Sequence, residues 1–144
     1  MKKSIYLLLL AVLVSLNACA DKKVVITFAQ LPQPAQEIIT QNFNQADISY
    51  VMQENDWSVE YEVRFVNGTE IEFNSDGALK KVDCKTTAVP DALVPAEVLT
   101  YVKTNVPGAF IKEWGTDDWG YKAELSNGLD LKFDKSYRFQ RIDD

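Results

Sequence analysis

The sequence predicts an α+β protein: a tandem repeat in which each copy is a helix followed by a four-stranded antiparallel sheet, with the helices on one face of the sheet. Three observations support this fold class. The segments EVRFVNGTEIEF (residues 62–73) and AELSNGLDLKF (residues 123–133) repeat one pattern sixty residues apart. A proline-led apolar stripe with helical spacing precedes each segment. Alternating apolar and polar residues around each segment are typical of strands with one buried face.

The similarity between the two halves extends well beyond an Asn-Gly dipeptide. Tyr61 aligns with Tyr121 and Phe73 with Phe133, both at an offset of 60. Upstream, Leu31-Pro32 aligns with Val94-Pro95 at an offset of 63. We therefore expect two copies, residues 21–84 and 85–144, side by side in one compact domain, because a single copy buries too little apolar surface to be stable alone.

The first twenty residues have the layout of a secretory signal peptide. Two lysines precede an apolar run from Ile5 to Leu16, which is too short to span a bilayer. Two processing routes remain open: simple cleavage before Asp21, or lipidation of Cys19 in a lipobox that Asn17 suits poorly. Either route leads to a periplasmic or secreted protein, with a lipid anchor at Cys19 only in the second case.

The charge of the chain makes two classes of partner poor candidates. The net charge is −6, and it becomes −8 once residues 1–20, with Lys2 and Lys3, are removed. An acidic protein repels both nucleic acid and anionic lipid headgroups. Cys84 would be the one unmodified cysteine, so no intramolecular disulfide is expected, and we predict that its side chain is a small buried apolar group.

Each copy is predicted to begin with an amphipathic helix. In residues 32–43 a proline stands at the start, where a helix tolerates it, and the apolar side chains have helical spacing: Ala35, Ile38, Ile39 and Phe43. In the second copy Val94, Val98, Val102 and Val106 fall four apart, and residues 90–93 add a short helical turn before Pro95. Amphipathic helices of this kind pack on a sheet.

Four antiparallel strands follow each helix. We predict them at residues 48–52, 61–65, 69–73 and 79–83 in the first copy and at 110–114, 121–125, 129–133 and 137–143 in the second. Tyr61, Val63 and Phe65 share one face, and Glu62 and Arg64 share the other.

The register of the hairpin follows from the parity of its side chains. A two-residue loop at Asn67-Gly68 would pair Phe65 with Glu70 and mix apolar with charged residues, so it is excluded. A loop of residues 66–68 pairs Phe65 with Thr69 and gives Gly68 the positive φ. A loop of residues 67–69 improves the charge pairs, worth about 0.2–1 kcal/mol, but strains Thr69 by about 1–2 kcal/mol. We therefore predict the loop of residues 66–68.

The motifs together resemble the PepSY-like proteins secreted by Bacteroidetes. They are the proline-led helix, the pattern YEVRFVNGTEIEF, the VDC strand, VPDALVP, SNGLDLKF and the terminal IDD. The resemblance covers nearly all of the mature chain. It implies a fold like that of the β-lactamase inhibitory protein, and a periplasmic or secreted module that is not an enzyme and that inhibits or binds peptides. These are turn and core residues, so they indicate fold more strongly than activity.

The sequence itself contains no catalytic signature. It has no histidine, which is the commonest general base and metal ligand, and no phosphate loop, G-x-S-x-G motif or Cys/His spacing. Its carboxylates are explained as solvated strand and loop residues. We predict no catalytic residue, no metal site and no cofactor.

Two functional hypotheses follow, a protein-binding module and a structural or sensory envelope component. In the first, an unknown protein or peptide partner binds the open sheet face, where Arg64 and Lys122 lie, with Trp57 and Trp119 as aromatic anchors in strand-joining turns. In the second, a small ligand occupies an apolar pocket at the junction of the copies. The identity of the partner and the oligomeric state do not follow from the sequence.

Overall fold

A computed structural model describes residues 22–143 of the chain. The predicted signal peptide, its cleavage site and Cys19 lie outside these residues. No helix in residues 22–143 is long and apolar enough to cross a membrane.

Two helices and nine strands account for most of the described chain. The helices are α1 (Gln33–Asn42) and α2 (Ala96–Asn105). The strands are β1 (Lys23–Ile26), β2 (Ile48–Asn55), β3 (Val59–Phe65), β4 (Glu70–Asn74), β5 (Leu79–Asp83), β6 (Ile111–Asp117), β7 (Gly120–Leu125), β8 (Asp130–Phe133) and β9 (Phe139–Asp143). The predicted short turn before Pro95 is a 3₁₀ helix at Asp91–Leu93.

The predicted fold class is wrong in its central feature. The described residues form one nine-stranded antiparallel sheet in the order β1 to β9, with only two α-helices, rather than a tandem repeat of a helix and a four-stranded sheet. The sheet does not divide near residue 84, because β5 pairs with β6 through Val82 and Trp114. The sequence predicts eight strands, and the additional strand is β1. It precedes the first helix in the chain and pairs with β2.

The core lies between the helices and one face of the sheet. One row of paired residues crosses β2 to β8 on this face and is buried along its whole length: Val51, Val63, Ile71, Val82, Trp114, Ala123 and Leu131. The helices contribute Ala35, Ile39, Val98 and Val102 to the same buried cluster. Both helices therefore cover this face. The opposite face, which carries the alternate side chains of the strands, is called the bare face below.

The predicted hairpin register is confirmed. Val63 pairs with Ile71 and Tyr61 with Phe73, and the Phe65 N–H donates to the Thr69 carbonyl at 2.9 Å. Gly68 has φ of 90°. The second hairpin pairs Ala123 with Leu131, Tyr121 with Phe133, and gives Gly128 φ of 89°. Glycine adopts these angles without the clash that a Cβ atom would cause.

Candidate functional site

Four turns lie along one edge of the sheet, at the end opposite to the Gly68 and Gly128 hairpins. Since consecutive strands are antiparallel, the turns β2–β3, β4–β5, β6–β7 and β8–β9 must all fall at this edge. Trp57 stands in the first of these turns and Trp119 in the third. We call this row of turns the tryptophan edge. It runs across the ends of the strands and is distinct from the free edges along the outer strands β1 and β9.

Both indoles at this edge are almost fully exposed, Trp57 by 97% and Trp119 by 85%. Large aromatic side chains normally bury most of their surface. Trp57 follows Asp56, whose carboxylate binds the Lys22 amine at 2.6 Å. The two turns are four strand spacings apart, or about 19 Å along the sheet. The sequence alone does not decide whether these indoles are buried or exposed, and the structure shows that they are exposed.

Close packing of the main chain shapes the Trp119 turn. A Cβ atom on Gly120 would lie 2.1 Å from the Phe133 carbonyl oxygen. Only glycine allows β7 and β8 to approach so closely at this point, and the neighbouring side chain, Trp119, is left outside the sheet.

The other two predicted site residues lie on the bare face, at different distances along the strands from the tryptophan edge. Lys122 lies three residues after Trp119, in the first half of β7. Arg64 is near the far end of β3, next to the Gly68 hairpin, about 20 Å along the strand from Trp57. The structure thus brings Lys122 close to the tryptophan edge and leaves Arg64 apart from it.

Both of these cations are engaged with carboxylates of the same chain. Arg64 contacts Glu70 and, at 3.7 Å, Glu62, and its guanidinium lies 5.9 Å from the Tyr50 ring centroid. Lys122 binds Glu113 at 2.9 Å and Asp130 at 3.7 Å. The bare face is therefore a network of ion pairs, and a partner would have to exchange its own charges with this network.

Glu113 is a member of the network that sequence alternation did not single out. Its side chain is only 10% exposed and lies between two lysines, with Lys81 at 3.3 Å and Lys122 at 2.9 Å. In a regular strand Ile111 and Glu113 would lie on the same face, because they are two residues apart. A register shift between them turns Glu113 to the bare face instead. The cue available in the sequence was the Lys112-Glu113 pair, since two adjacent charges in an otherwise apolar strand suggest a bulge.

The network shifts the pKa values of Lys122 and Asp117 in the direction that keeps both side chains charged. Burial acts against the charge of Lys122, but the hydrogen bond to Glu113 and its charge outweigh burial and raise the pKa of Lys122 above 10.5. The hydrogen bond from Lys132 lowers the pKa of Asp117 below 3.8. These residues stay ionised across the neutral range.

The centre of the sheet, where β5 meets β6, is closely packed. Val82 and Trp114 are buried against each other's strands, and a Cβ atom on Gly115 would lie 2.9 Å from the Lys80 carbonyl oxygen. An apolar hollow of about 460 Å³ lies elsewhere, beside the segment that leads from β5 through α2 to β6, with Leu99, Val102 and Phe110 in its lining. The packing at the junction favours the hypothesis of surface binding over that of a ligand between the halves.

No group of three or more Cys, Asp or Glu side chains within residues 22–143 is arranged to hold a metal ion. Asp56, Asp76 and Asp134, in three of the turns, accept hydrogen bonds from protein donors. Asp134, for example, accepts hydrogen bonds from the main-chain N–H groups of Ser136 and Arg138 at 2.8 and 3.0 Å.

The fold and this edge define a class: an antiparallel sheet backed by two helices, with a charged open face and exposed turn aromatics. A protein-family model described as "Putative beta-lactamase-inhibitor-like, PepSY-like" matches residues 18–62 and 59–141. The chain therefore belongs to the PepSY-like family, as the sequence motifs predicted.

Solved structures agree with this membership. A protein of the DUF2874 family from Bacteroides vulgatus, provisionally described as periplasmic, is 38% identical with a TM-score of 0.82, covering 87% of this chain and 99% of its own. A protein from Bacteroides thetaiotaomicron, provisionally described as calcium-regulated and periplasmic, is 39% identical with a TM-score of 0.81 and the same coverage. A third, from Bacteroides vulgatus and of unknown function, is 33% identical with a TM-score of 0.78, covering 85% of this chain and 99% of its own. None of the curated proteins compared with the chain matches it.

Proposed function

We propose that this protein is a periplasmic binding module, without catalytic activity, that holds another protein or a peptide at the tryptophan edge and the adjoining bare face. The observation that carries this proposal is the exposure of two indoles, 97% and 85%, at one edge of one sheet. Tryptophan is enriched among the residues that dominate binding energy in protein interfaces. Leaving two of them in water gives the isolated fold no packing energy.

The periplasmic location is supported by the predicted signal peptide and by the three structural neighbours, each of which is provisionally described as a periplasmic protein. The family description includes the term inhibitor-like. A secreted enzyme is therefore the first class of partner to test. In such a complex the indoles would anchor the partner, and Lys122 and Arg64 would supply charge complementarity across the bare face.

The test begins with capture of a partner from an envelope extract of a Bacteroides species, using the tagged mature protein and mass spectrometry. The affinity of the captured partner is then measured for a Trp57→Ala/Trp119→Ala variant and for the same variant with Arg64→Glu and Lys122→Glu. We expect the double variant to bind about 1,000-fold more weakly, since anchoring residues of this kind are worth about 2 kcal/mol or more each and about 1.4 kcal/mol is tenfold in affinity.

A variant of the helix side, Glu37→Lys/Lys103→Glu, serves as the matched control and should bind as the wild type does. Circular dichroism and thermal melting verify that each variant is folded, which we expect for the double variant because both indoles are almost fully exposed. The reversals at Arg64 and Lys122 break ion pairs of the bare face and should lower the melting temperature of the fourfold variant, so its affinity is measured below that temperature. Undiminished affinity of the folded fourfold variant would place the binding site elsewhere and refute the proposal.

A further inference from the structure

The two outer strands of the sheet differ in how well their free edges are protected. Natural sheets protect an edge with charged residues, prolines or bulges, because exposed main-chain groups and apolar side chains pair with other chains. Strand β9 has a register shift beside Phe139 and carries Arg141 and Asp143. Strand β1 pairs with β2 without a register shift and exposes two valines, Val24 by 48% and Val25 by 70%. No described strand pairs with the outer side of β1.

The main-chain groups that β1 leaves free can be assigned from its pairing. The Asn55 N–H donates to the Lys22 carbonyl at 2.6 Å, so Lys22 bonds toward β2. Bonding alternates along an antiparallel strand, so Val24 and Ile26 also bond toward β2. The N–H and C=O groups of Lys23 and Val25 therefore point away from the sheet. Beyond β1, the Thr27 N–H and carbonyl are already bonded to Gln30.

We propose that β1 is a dimerisation strand, on which the β1 of a second copy of this chain adds in antiparallel orientation about a two-fold axis at Val24. This register uses all the free groups, because Lys23 of each copy exchanges two hydrogen bonds with Val25 of the other. It also places the exposed Val24 side chains of the two copies directly opposite each other, on the helix side of the sheet. The main-chain groups that this contact uses take no part in the proposed function.

The neighbouring two-fold registers are poorer. An axis at Lys23 would set two lysines directly opposite each other, which destabilises a strand pair. An axis at Val25 would pair Lys23 with Thr27, whose main-chain groups are not free. A self-complementary patch of this kind closes at two copies and does not propagate. The strand has four residues, so the contact falls below the standard interface area and the dimer should be weak and dependent on concentration.

The test measures the mass of the mature protein by sedimentation velocity over a range of concentrations. We expect a reversible dimer for the wild type and a monomer for Val24→Lys and for Val24→Glu, each of which sets like charges opposite each other. A mixture of these two variants should form the dimer again, because a lysine then faces a glutamate. Only a register with residue 24 opposite residue 24 produces this rescue.

Two further variants identify the edge. Val25→Pro removes an outward N–H that the fold itself does not use, and should weaken the dimer about tenfold or more. Ile142→Pro on β9 is the matched control at the other edge, and Trp119→Ala reports on the tryptophan edge; both should leave dimerisation unchanged. Hydrogen exchange should show the Lys23 and Val25 amides protected only at high concentration, with the Val24 amide protected throughout.

Several results would overturn the proposal. They are a wild type that stays monomeric at all concentrations, a dimer that Val24→Lys leaves intact, or a mixture that fails to restore it. A monomer whose Lys23 and Val25 amides become protected only when envelope extract is added would mean that another polypeptide occupies the edge. A variant that loses the dimer but still binds the partner tests this inference alone. A variant that loses partner binding but still dimerises tests the proposed function alone.

Discussion

At the scale of single residues, glycines determine where the strands turn and how closely they approach. Gly68 and Gly128 close the two hairpins with φ of 90° and 89°. Gly120 acts differently, through space, since any side chain there would meet the Phe133 carbonyl oxygen. Tyr137 has φ of 61° in a turn where the first half has Gly77, and its ring packs at 5.0 Å from that of Tyr121. Aromatic packing offsets the strain at that residue.

Replacement of Gly68 or Gly128 by alanine should destabilise the fold by about 1 kcal/mol or more, because alanine is strained at positive φ. The strain should act alone, since a Cβ on Gly68 would lie 3.7 Å from the Lys85 Cγ and one on Gly128 has open space. Chemical denaturation measures the loss, with Val66→Ala as the control, because Val66 lies in the Gly68 turn and is 73% exposed. Unchanged stability of both variants would contradict the hairpin register.

At the scale of elements, cross-strand ion pairs join neighbouring strands on the bare face. Several residues directly opposite each other carry like charge, such as Glu113 and Glu124. Lysines between the strands compensate: Lys112 binds Glu124 at 2.6 Å, and Lys81 and Lys122 bind Glu113. The contact between β5 and β6 at the centre of the sheet therefore depends on charge as well as on the packing of Val82 and Trp114.

Glu113→Gln should lower the free energy of unfolding by about 1–2 kcal/mol, because the nearly buried carboxylate pairs with two lysines. Lys81 would lose this partner, and Lys122 would keep only Asp130, at 3.7 Å. Urea denaturation is the measurement. Glu97→Gln on the exposed face of α2 removes a glutamate that has no ion pair within the described residues, and should change stability little. Equal stability of Glu113→Gln and the wild type would mean that the central ion pairs contribute nothing to the strand contact.

At the scale of the whole molecule, the bare face gives the protein a dependence on pH. Burial acts to raise the pKa of Asp83, but hydrogen bonds from Lys85 outweigh burial and lower it below 3.8. The pKa of Asp117 is lowered by the hydrogen bond that its carboxylate accepts from Lys132. These two carboxylates bind protons more weakly in the folded chain than in the unfolded chain. Their contribution to stability is therefore fully present above their pKa in the unfolded chain, and it is lost as pH falls through their pKa in the folded chain.

The melting temperature should therefore be nearly constant from neutral pH down to about pH 5 and fall steeply below about pH 4. Thermal melting followed by circular dichroism measures this. Asp117→Asn should show a shallower fall, and its difference from the wild type should vanish in acid, where Asp117 is protonated in both states. A melting temperature that stays level in acid would contradict the assignment of stability to these carboxylates.

The sequence by itself determined the local elements of this protein. Apolar spacing placed α1 and α2, and the parity of Phe65 and Glu70 together with Gly68 defined the hairpin. These features depend on neighbouring residues, whose sterics and side-chain periodicity are written directly in the chain. Likewise, alternation predicted that Lys122 and Arg64 face away from the core, and the turn residues positioned Trp57 and Trp119 between strands.

Only the tertiary structure decided how these elements join and which charges meet. The pairing of β5 with β6 and the addition of β1 depend on main-chain hydrogen bonds between distant segments, which leave no local pattern. The shift at Glu113 leaves one cue in the sequence, the adjacent charges of Lys112 and Glu113. A strand as short as β1 is not stable alone and exists because β2 offers it an edge. The separation of Arg64 from the tryptophan edge follows from strand length and direction in the assembled sheet, which alternation along one strand cannot reveal.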